Sequence, residues 1–338
     1  MSSRSATLAK PATRELTLSQ AVNEALAEEL RRDPTVFVIG EDVAEAGTPF
    51  KVLSGLVEEF GAERIIDSPI SEAGISGLGL GAAMTGMRPV VDIMFGDFMT
   101  LVMDQLANQA AKIHYMSGGR LSAPLTIRTT LGATRRSAAQ HSQSLHALVA
   151  HIPGLKVVLP ATPYDAKGLF KSAIREDNPV VVFEDKMMFA VKGPVPEEEY
   201  ILPLGVADVK REGEDVTIVA TSSMVYVALE AAEQLASDGI SAEVVDPRTI
   251  VPLDRETLVA SARKTGRAIV VDEGHRSYGV GAELAALIAE EAFYHLDAPV
   301  RRLCAMDVPI PFSPVLEDLT VPTLEDVATE ARRLVGKA

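Results

Sequence analysis

A single cysteine, Cys304, and no tryptophan occur in the 338 residues of this chain. One thiol rules out an intrachain disulfide and leaves no basis for a cysteine-ligated zinc site, so a reducing compartment, the cytoplasm, is the expected setting. No apolar run reaches the ~18 residues that span a bilayer, and no membrane partner is expected. Positive charge is scarce as well: 32 Lys and Arg stand against 47 Asp and Glu, a formal net charge of −15. Proteins that grip bare nucleic acid show the opposite balance or a basic stripe, so that class of partner is excluded. Neither a Ser-His-Asp elbow nor an H-E-x-x-H motif occurs, which withdraws support from hydrolase chemistry. The first acid is Glu15, yet the acid-free opening is short and has no apolar stretch. It reads as a flexible tail over residues 1–15, and a mitochondrial transit peptide is the lesser reading.

What is present describes a core-forming protein: 47% hydrophobic and 23% charged residues, with a length that suggests about two domains. Short β-branched runs alternate with helical stretches, the pattern of α/β domains with mostly parallel sheets. Strands are expected at Val36–Ile39, Ile65–Ile66, Pro89–Ile93, Leu125–Thr129, Val157–Leu159 and Val180–Glu184, with helices near 54–60, 72–86, 98–116 and 163–176. Thr17-Leu-Ser-Gln20 has capping-box spacing for a helix that Pro34 stops, and Thr162-Pro163 supplies a cap and a first-turn proline. Lys192-Gly-Pro-Val-Pro-Glu-Glu-Glu-Tyr200 then loses all periodicity and reads as a linker. Alternation resumes with strands at Val216–Ala220, Ala242–Val245 and Ala268–Val271 and helices near 223–237, 254–264 and 281–293. The expected plan is a domain over 16–190, a linker over 191–204 and a second α/β domain over 205–338.

Four features carry candidate chemistry. Gly77-Leu-Gly79-Leu-Gly-Ala82 matches the G-x-G-x-x-G/A dinucleotide fingerprint, with Asp97 at plausible spacing. The fingerprint belongs in a strand-to-helix turn, whereas these glycines fall inside the helix that follows Ser71-Glu72; small residues there let a helix pack closely. Glu72 itself falls in the first turn of that helix. An acid there complements the helix dipole, with Ser71 as cap; a buried one at a strand end, where α/β ligands bind, can instead share a proton with a ligand nitrogen. His141 is the one histidine of six whose neighbours, Ala138-Ala-Gln-His-Ser-Gln143, resemble a site, and imidazole is the usual proton carrier near neutral pH. Phe95-Gly96-Asp97-Phe98 offers either core packing or a platform for a flat heteroaromatic ring.

A series of segments arrives in order: Gly40-Glu-Asp-Val43, Asp67-Ser-Pro-Ile-Ser-Glu-Ala-Gly74, Asn108-Gln-Ala-Ala-Lys112, Tyr115-Met-Ser-Gly-Gly119, Ala139-Gln-His-Ser-Gln143, Pro153-Gly-Leu-Lys-Val-Val158 and Asn178-Pro-Val-Val181. Together with Asp246-Pro-Arg-Thr249 and Leu316-Glu-Asp318, the series resembles the beta subunits of thiamine-diphosphate-dependent 2-oxo acid dehydrogenases and of acetoin dehydrogenases, from about Leu16 to Val335. The resemblance implies a transketolase-like pyrimidine-binding domain followed by a transketolase C-terminal-like domain. It implies oxidative decarboxylation of a 2-oxo acid (pyruvate or a branched-chain acid), or cleavage of acetoin, with acyl transfer to lipoamide. Glu72 matches the glutamate that hydrogen-bonds the cofactor's pyrimidine nitrogen and favours the tautomer that deprotonates the thiazolium ring. Phe98 matches the aromatic stacked on that pyrimidine, Met94 a residue lining the same pocket, and His141 the histidine associated with acyl transfer.

The resemblance also implies a potassium site built largely from main-chain oxygens, by position those of Leu125, Ala173, Ile174, Glu176 and Asn178. The Gly-Asp-Gly motif that holds Mg²⁺ and the diphosphate is absent here, and in the family the alpha subunit carries it. The implied assembly is therefore an α2β2 heterotetramer with the cofactor at an alpha–beta interface, docked to a lipoyl acyltransferase core. After the strand preceding the histidine loop, Arg128-Thr-Thr-Leu-Gly132-Ala-Thr-Arg-Arg136 departs from the animal pyruvate pattern towards the acetoin branch. Arg135 and Arg136 are expected to be solvated loop charges, with contact to a substrate or lipoyl-domain carboxylate as the lesser reading. The rival readings are an NAD-binding oxidoreductase using the glycine run and a non-catalytic scaffold subunit.

Overall fold

The computed structural model describes residues 13–337. Its strands are β1 (Thr13–Thr17), β2 (Val36–Gly40), β3 (Ile65–Asp67), β4 (Arg88–Ile93), β5 (Thr126–Leu131), β6 (Lys156–Val158), β7 (Val180–Asp185), β8 (Lys192–Pro196), β9 (Asp208–Arg211), β10 (Val216–Ala220), β11 (Ala242–Asp246), β12 (Thr249–Val251), β13 (Ala268–His275) and β14 (Arg301–Ala305). They form one seven-stranded sheet in the order β12-β6-β7-β5-β4-β2-β3, one five-stranded sheet in the order β14-β13-β10-β11-β9, and a two-stranded ribbon β1-β8. Only β12 and β9 run antiparallel to their neighbours in the two large sheets. The central strands β2, β5, β7, β10 and β11 are buried along their whole length. That burial is why they read as continuous apolar runs: a parallel strand is covered by helices on both faces. No helix among the described residues is long and apolar enough to cross a membrane.

Local signals place the helices. Thr17 and Gln20 form the capping box that opens the helix Leu18–Arg32. The Thr162 hydroxyl accepts from the Asp165 amide at the start of the helix Pro163–Arg175, with Pro163 in its first turn. The glycine run lies inside the helix Glu72–Met84. A Cβ on Gly79 would meet Val91 Cγ2 at 2.5 Å, so this glycine lets the helix lie directly on β4.

Four expectations need correction. Residues 1–12 of the expected tail lie outside the described residues, but Thr13–Glu15 belong to β1. The expected linker begins as a strand: Lys192–Pro196 pairs antiparallel with β1, Pro194 standing opposite Glu15. In a two-stranded ribbon, the proline positions that lack a donor can face away from the partner, and this erases the sequence periodicity without erasing the strand. The helix expected over 98–116 is instead a 3₁₀ turn Gly96–Val102, a π-helical stretch Asp104–Ala110 and an α-helix Ala111–Met116. Finally, β12 comes from the second half of the chain yet completes the edge of the first sheet beside β6.

The two sheets meet across a buried charge cluster. Lys210 Nζ donates to Asp165 Oδ2 at 2.5 Å and lies 3.6 Å from Asp246 Oδ2; Arg248 Nη1 donates to Asp165 Oδ1 at 3.2 Å. Asp208 and Tyr226 also face this cluster. Burial, only partly offset by Lys210, pushes the Asp246 carboxyl up to about 7, and its Oδ2 has no hydrogen-bond partner among the described residues. A carboxyl raised from its unfolded value near 3.9 binds its proton more tightly when folded. Its stabilising contribution is complete below about pH 4 and is lost as pH rises through about 7. Asp246→Asn removes that titration, so the melting temperature of the wild type relative to the variant is expected to decline between pH 5 and pH 7.5. Thermal melts at both pH values check this; a difference that stays constant or moves the other way refutes it.

Candidate active site

In the first sheet β5, β4, β2 and β3 are parallel neighbours, so their carboxyl ends line one edge. That edge is where open α/β sheets bind ligands. From β3 the chain turns through Ser68–Ser71 into the helix Glu72–Met84, which places Glu72 in the first turn with 8% of its surface exposed. The expected Ser71 cap is not made: its side chain forms no capping bond. Among the described residues no protein donor bonds the Glu72 carboxylate. Glu41, just beyond β2, lies close enough to feel its charge. Burial first, and then the Glu72 negative charge, hold the Glu41 carboxyl above the usual range, and Glu41 Oε1 is buried with no partner among the described residues. Asp67 Oδ1 accepts from the Ala44 amide at 2.8 Å and ties the two strand ends together.

The end of β4 supplies the aromatic side. Met94 is half-buried, and its carbonyl accepts from Thr130 Oγ1 at 3.1 Å. Gly96 follows, where a Cβ would collide with the Thr130 carbonyl. Phe95, Phe98 and His141 form an edge-to-face trio: the His141 ring is 4.7 Å from Phe95 and 5.5 Å from Phe98, and the two phenyl rings are 5.8 Å apart. Phe98 and His141, 43 positions apart in the numbering, are thus brought together.

The loop carrying His141 follows β5 and is held from several directions. Three of its non-glycine residues, Thr134, Arg136 and Ala138, sit at φ near +60°, a strained region that persists only when surroundings impose it. The Ala133 amide donates to Glu273 Oε1 at 2.6 Å. Arg136 is paired with the buried Glu317, Nη1 to Oε2 at 2.7 Å, and with Asp318 at 2.6 Å, which corrects the expectation of a solvated charge. Arg135 is exposed, over the Phe50 ring. The buried Lys186 ammonium donates to the His141 carbonyl, and burial lowers its proton affinity despite Asp97, Asp185, Glu273 and Glu317 nearby. Asp97 Oδ1 accepts from the Gln143 amide at 3.2 Å and from its side chain at 2.9 Å. Burial, reinforced by the Asp185 charge, raises Glu273 well above the usual carboxylate range.

Sequence reasoning gave no role to Glu41, Lys186, Glu273 or Glu317, although Glu41 and Glu317 fall within the quoted segments Gly40–Val43 and Leu316–Asp318. It also passed over His146. That imidazole is buried, with Nε2 3.1 Å from Asp272 Oδ1, an oxygen that also accepts from Thr221 Oγ1 at 2.6 Å. Burial pushes the Asp272 carboxyl up, but His146 and its hydrogen bonds outweigh this and hold it below the usual range.

The residues of the implied potassium site lie together, and the carbonyls of four of them, Leu125, Ala173, Ile174 and Glu176, already accept hydrogen bonds. Arg88 Nη1 donates to the carbonyls of Ile174 and Glu176 at 3.1 Å each. Thr126 Oγ1 donates to the Ala173 carbonyl, and the Val180 amide to that of Leu125. The Asn178 side chain donates to Glu176 Oε1 at 3.4 Å.

A first-turn carboxylate with no donor among the described residues, set on the strand edge that carries an aromatic–imidazole cluster, sits within two domains of one known class. Residues 14–191 match the transketolase pyrimidine binding domain and residues 205–327 the transketolase C-terminal domain. A split-gene transketolase, solved as an inactive β4 tetramer, superposes with a TM-score of 0.78 at 25% identity, covering 95% of this chain and 98% of that one. The chain belongs to the transketolase-like beta subunits of thiamine-diphosphate-dependent 2-oxo acid and acetoin dehydrogenases. It is 48% identical to the beta subunit of acetoin:2,6-dichlorophenolindophenol oxidoreductase of Bacillus subtilis (strain 168), over 96% of this chain and 98% of that protein. It is 47% identical to the beta subunit of the pyruvate dehydrogenase E1 component of the same organism, over 95% and 99%.

Proposed function

We propose that this chain is the beta subunit of a decarboxylating 2-oxo acid dehydrogenase, active only with an alpha subunit in an α2β2 assembly that passes its acyl group to the lipoamide of an acyltransferase core. The observation that carries this reading is the Glu72 carboxylate, nearly buried at a strand edge and given no donor among the described residues. Thiamine diphosphate, when bound, supplies the electron sink for loss of CO₂ from a 2-oxo acid. Glu72 would share a proton with the pyrimidine nitrogen, beside the Glu41 carboxyl that burial and the Glu72 charge hold above its usual range. Phe98 covers the flat ring and Met94 lines its pocket. His141 moves a proton during acyl transfer, its ring orientation set by Phe95 and Phe98 and its main chain by Lys186.

In the family that this chain resembles the alpha subunit carries the Gly-Asp-Gly motif for Mg²⁺ and the diphosphate, and the lack of that motif in this sequence supports the same division here. Ile70, two residues before Glu72, is 82% exposed, and Leu101 after Phe98 is 53% exposed. Apolar side chains displayed beside a site fit a surface that a partner subunit covers. That a related split transketolase is described as inactive when only its beta chains assemble supports the same requirement. Acetoin is the second substrate reading, favoured by the Arg128–Arg136 segment and by the acetoin-enzyme relative.

Reconstitution tests the proposal. This chain and the alpha-type subunit encoded beside it are mixed with thiamine diphosphate and Mg²⁺, and dye reduction is followed with pyruvate, branched 2-oxo acids, 2-oxoglutarate and acetoin in turn. Turnover is expected only with both chains, and the fastest reaction identifies the substrate, whether a 2-oxo acid or acetoin. Turnover by this chain alone, or NAD binding with no activity in any mixture, refutes the reading.

A further inference from the structure

We propose that the Arg88 guanidinium stands in place of a monovalent cation where β4 meets the C-terminus of the helix Pro163–Arg175, so that this corner of the fold is held without bound potassium. Arg88 opens β4, and 23% of its side chain is exposed. Its Nη1 donates to the carbonyls of Ile174 and Glu176 at 3.1 Å each, its Nη2 donates to the Asp177 carboxylate, and its Nε lies 4.0 Å from Asp33 Oδ2. The last carbonyls of a helix have no intrahelical donor and form the negative end of its dipole, so a positive charge is favoured at this point. A guanidinium meets that need well. Its charge is permanent, its donors are fixed in a planar fork, and it is tethered to the chain, so holding it costs no association entropy.

Of the three remaining carbonyls of the implied ion site, two already accept hydrogen bonds, and only that of Asn178 has no donor among the described residues. Thr126 Oγ1 and the Glu176 amide take the Ala173 carbonyl, and the Val180 amide takes that of Leu125. An ion coordinated by the Ile174 and Glu176 oxygens would stand beside a guanidinium bonded to the same two atoms, and the like charges repel at short range. The arginine and the ion are therefore alternatives. This inference is independent of the substrate and of Glu72, so its failure and the failure of the proposed function are separately visible.

The test uses thermal melts of the full chain, freed of potassium and ammonium, in KCl, NaCl and choline chloride at equal ionic strength. A ligand that binds only the folded state raises the melting temperature with its concentration. The wild type is expected to melt within about 1 °C in all three salts. Arg88→Ala, with the carbonyls vacated, is expected to melt lower and to gain a saturable rise specific to K⁺. If that variant does not fold, the wild-type series still decides, together with crystals of the wild type soaked in Tl⁺. A saturable, K⁺-specific rise for the wild type overturns the proposal. So does a Tl⁺ anomalous peak at the Ile174 and Glu176 carbonyls with Arg88 turned away.

Discussion

Glu72→Gln is expected to lower turnover of the assembled enzyme by about 10²–10⁴-fold, the range set by loss of a positioned proton carrier. The substitution keeps the shape of the side chain and its place in the first helical turn but removes the group that shares a proton. Assembly should be untouched, because no protein donor among the described residues depends on that carboxylate. The measurement pairs steady-state dye reduction with size-exclusion chromatography of the two-subunit mixture. A loss smaller than about tenfold, ~1.4 kcal/mol in the barrier, with assembly intact would sink the role given to Glu72.

The largest structural effect is expected at Arg128. Its guanidinium lies in the middle of the first sheet, between Asp92 on β4 and Glu184 on β7, with Nε and Nη2 donating to Glu184 at 3.0 and 2.6 Å and Nη1 to Asp92. All three side chains are at most 2% exposed. One cation between two carboxylates leaves a net negative charge in the core. Burial therefore holds both acids above their usual range even though Arg128 pulls them down, while the two acids keep the guanidinium firmly charged. Arg128→Met strands two carboxylates in the interior and should cost ~3–5 kcal/mol of stability. Chemical denaturation checks it, and a cost below about 1 kcal/mol would show that water or rearrangement relieves the charge. Exchanging all three residues for apolar ones of similar volume should recover most of the loss, since isolation of charge rather than absence of the ion pair causes the damage.

The parts of the fold legible in the sequence are those fixed by short-range rules. Strands covered on both faces appear as apolar runs, and capped helices announce themselves at Thr17 and Thr162. The glycine run shows why a motif needs its setting: Gly77, Gly79 and Ala82 fit a nucleotide fingerprint, yet they serve a helix lying on β4. Elements without a local signature escaped. The ribbon strand at Lys192–Pro196 hides behind its prolines, and the strand Thr249–Val251 is too short to register and joins a sheet formed by the other half of the chain. The stretch 98–116 changes helix type twice, which a single 3.6-residue period does not describe.

Sequence alone determined the α/β plan, the place of Glu72 in a first helical turn and the resemblance to the beta subunits of thiamine enzymes. It did so because strand burial, helix capping and motif order are properties of neighbouring residues. Tertiary structure alone decided how the His141 loop is held: Ala133 meets Glu273 across 140 positions and Arg136 meets Glu317 across 181. It also decided that Arg88 reaches the helix-end carbonyls of Ile174 and Glu176, 86 and 88 positions away. Such pairs leave no periodic trace in the chain, because their partners are chosen by how sheets and helices pack and by the need of each buried charge for an opposite one.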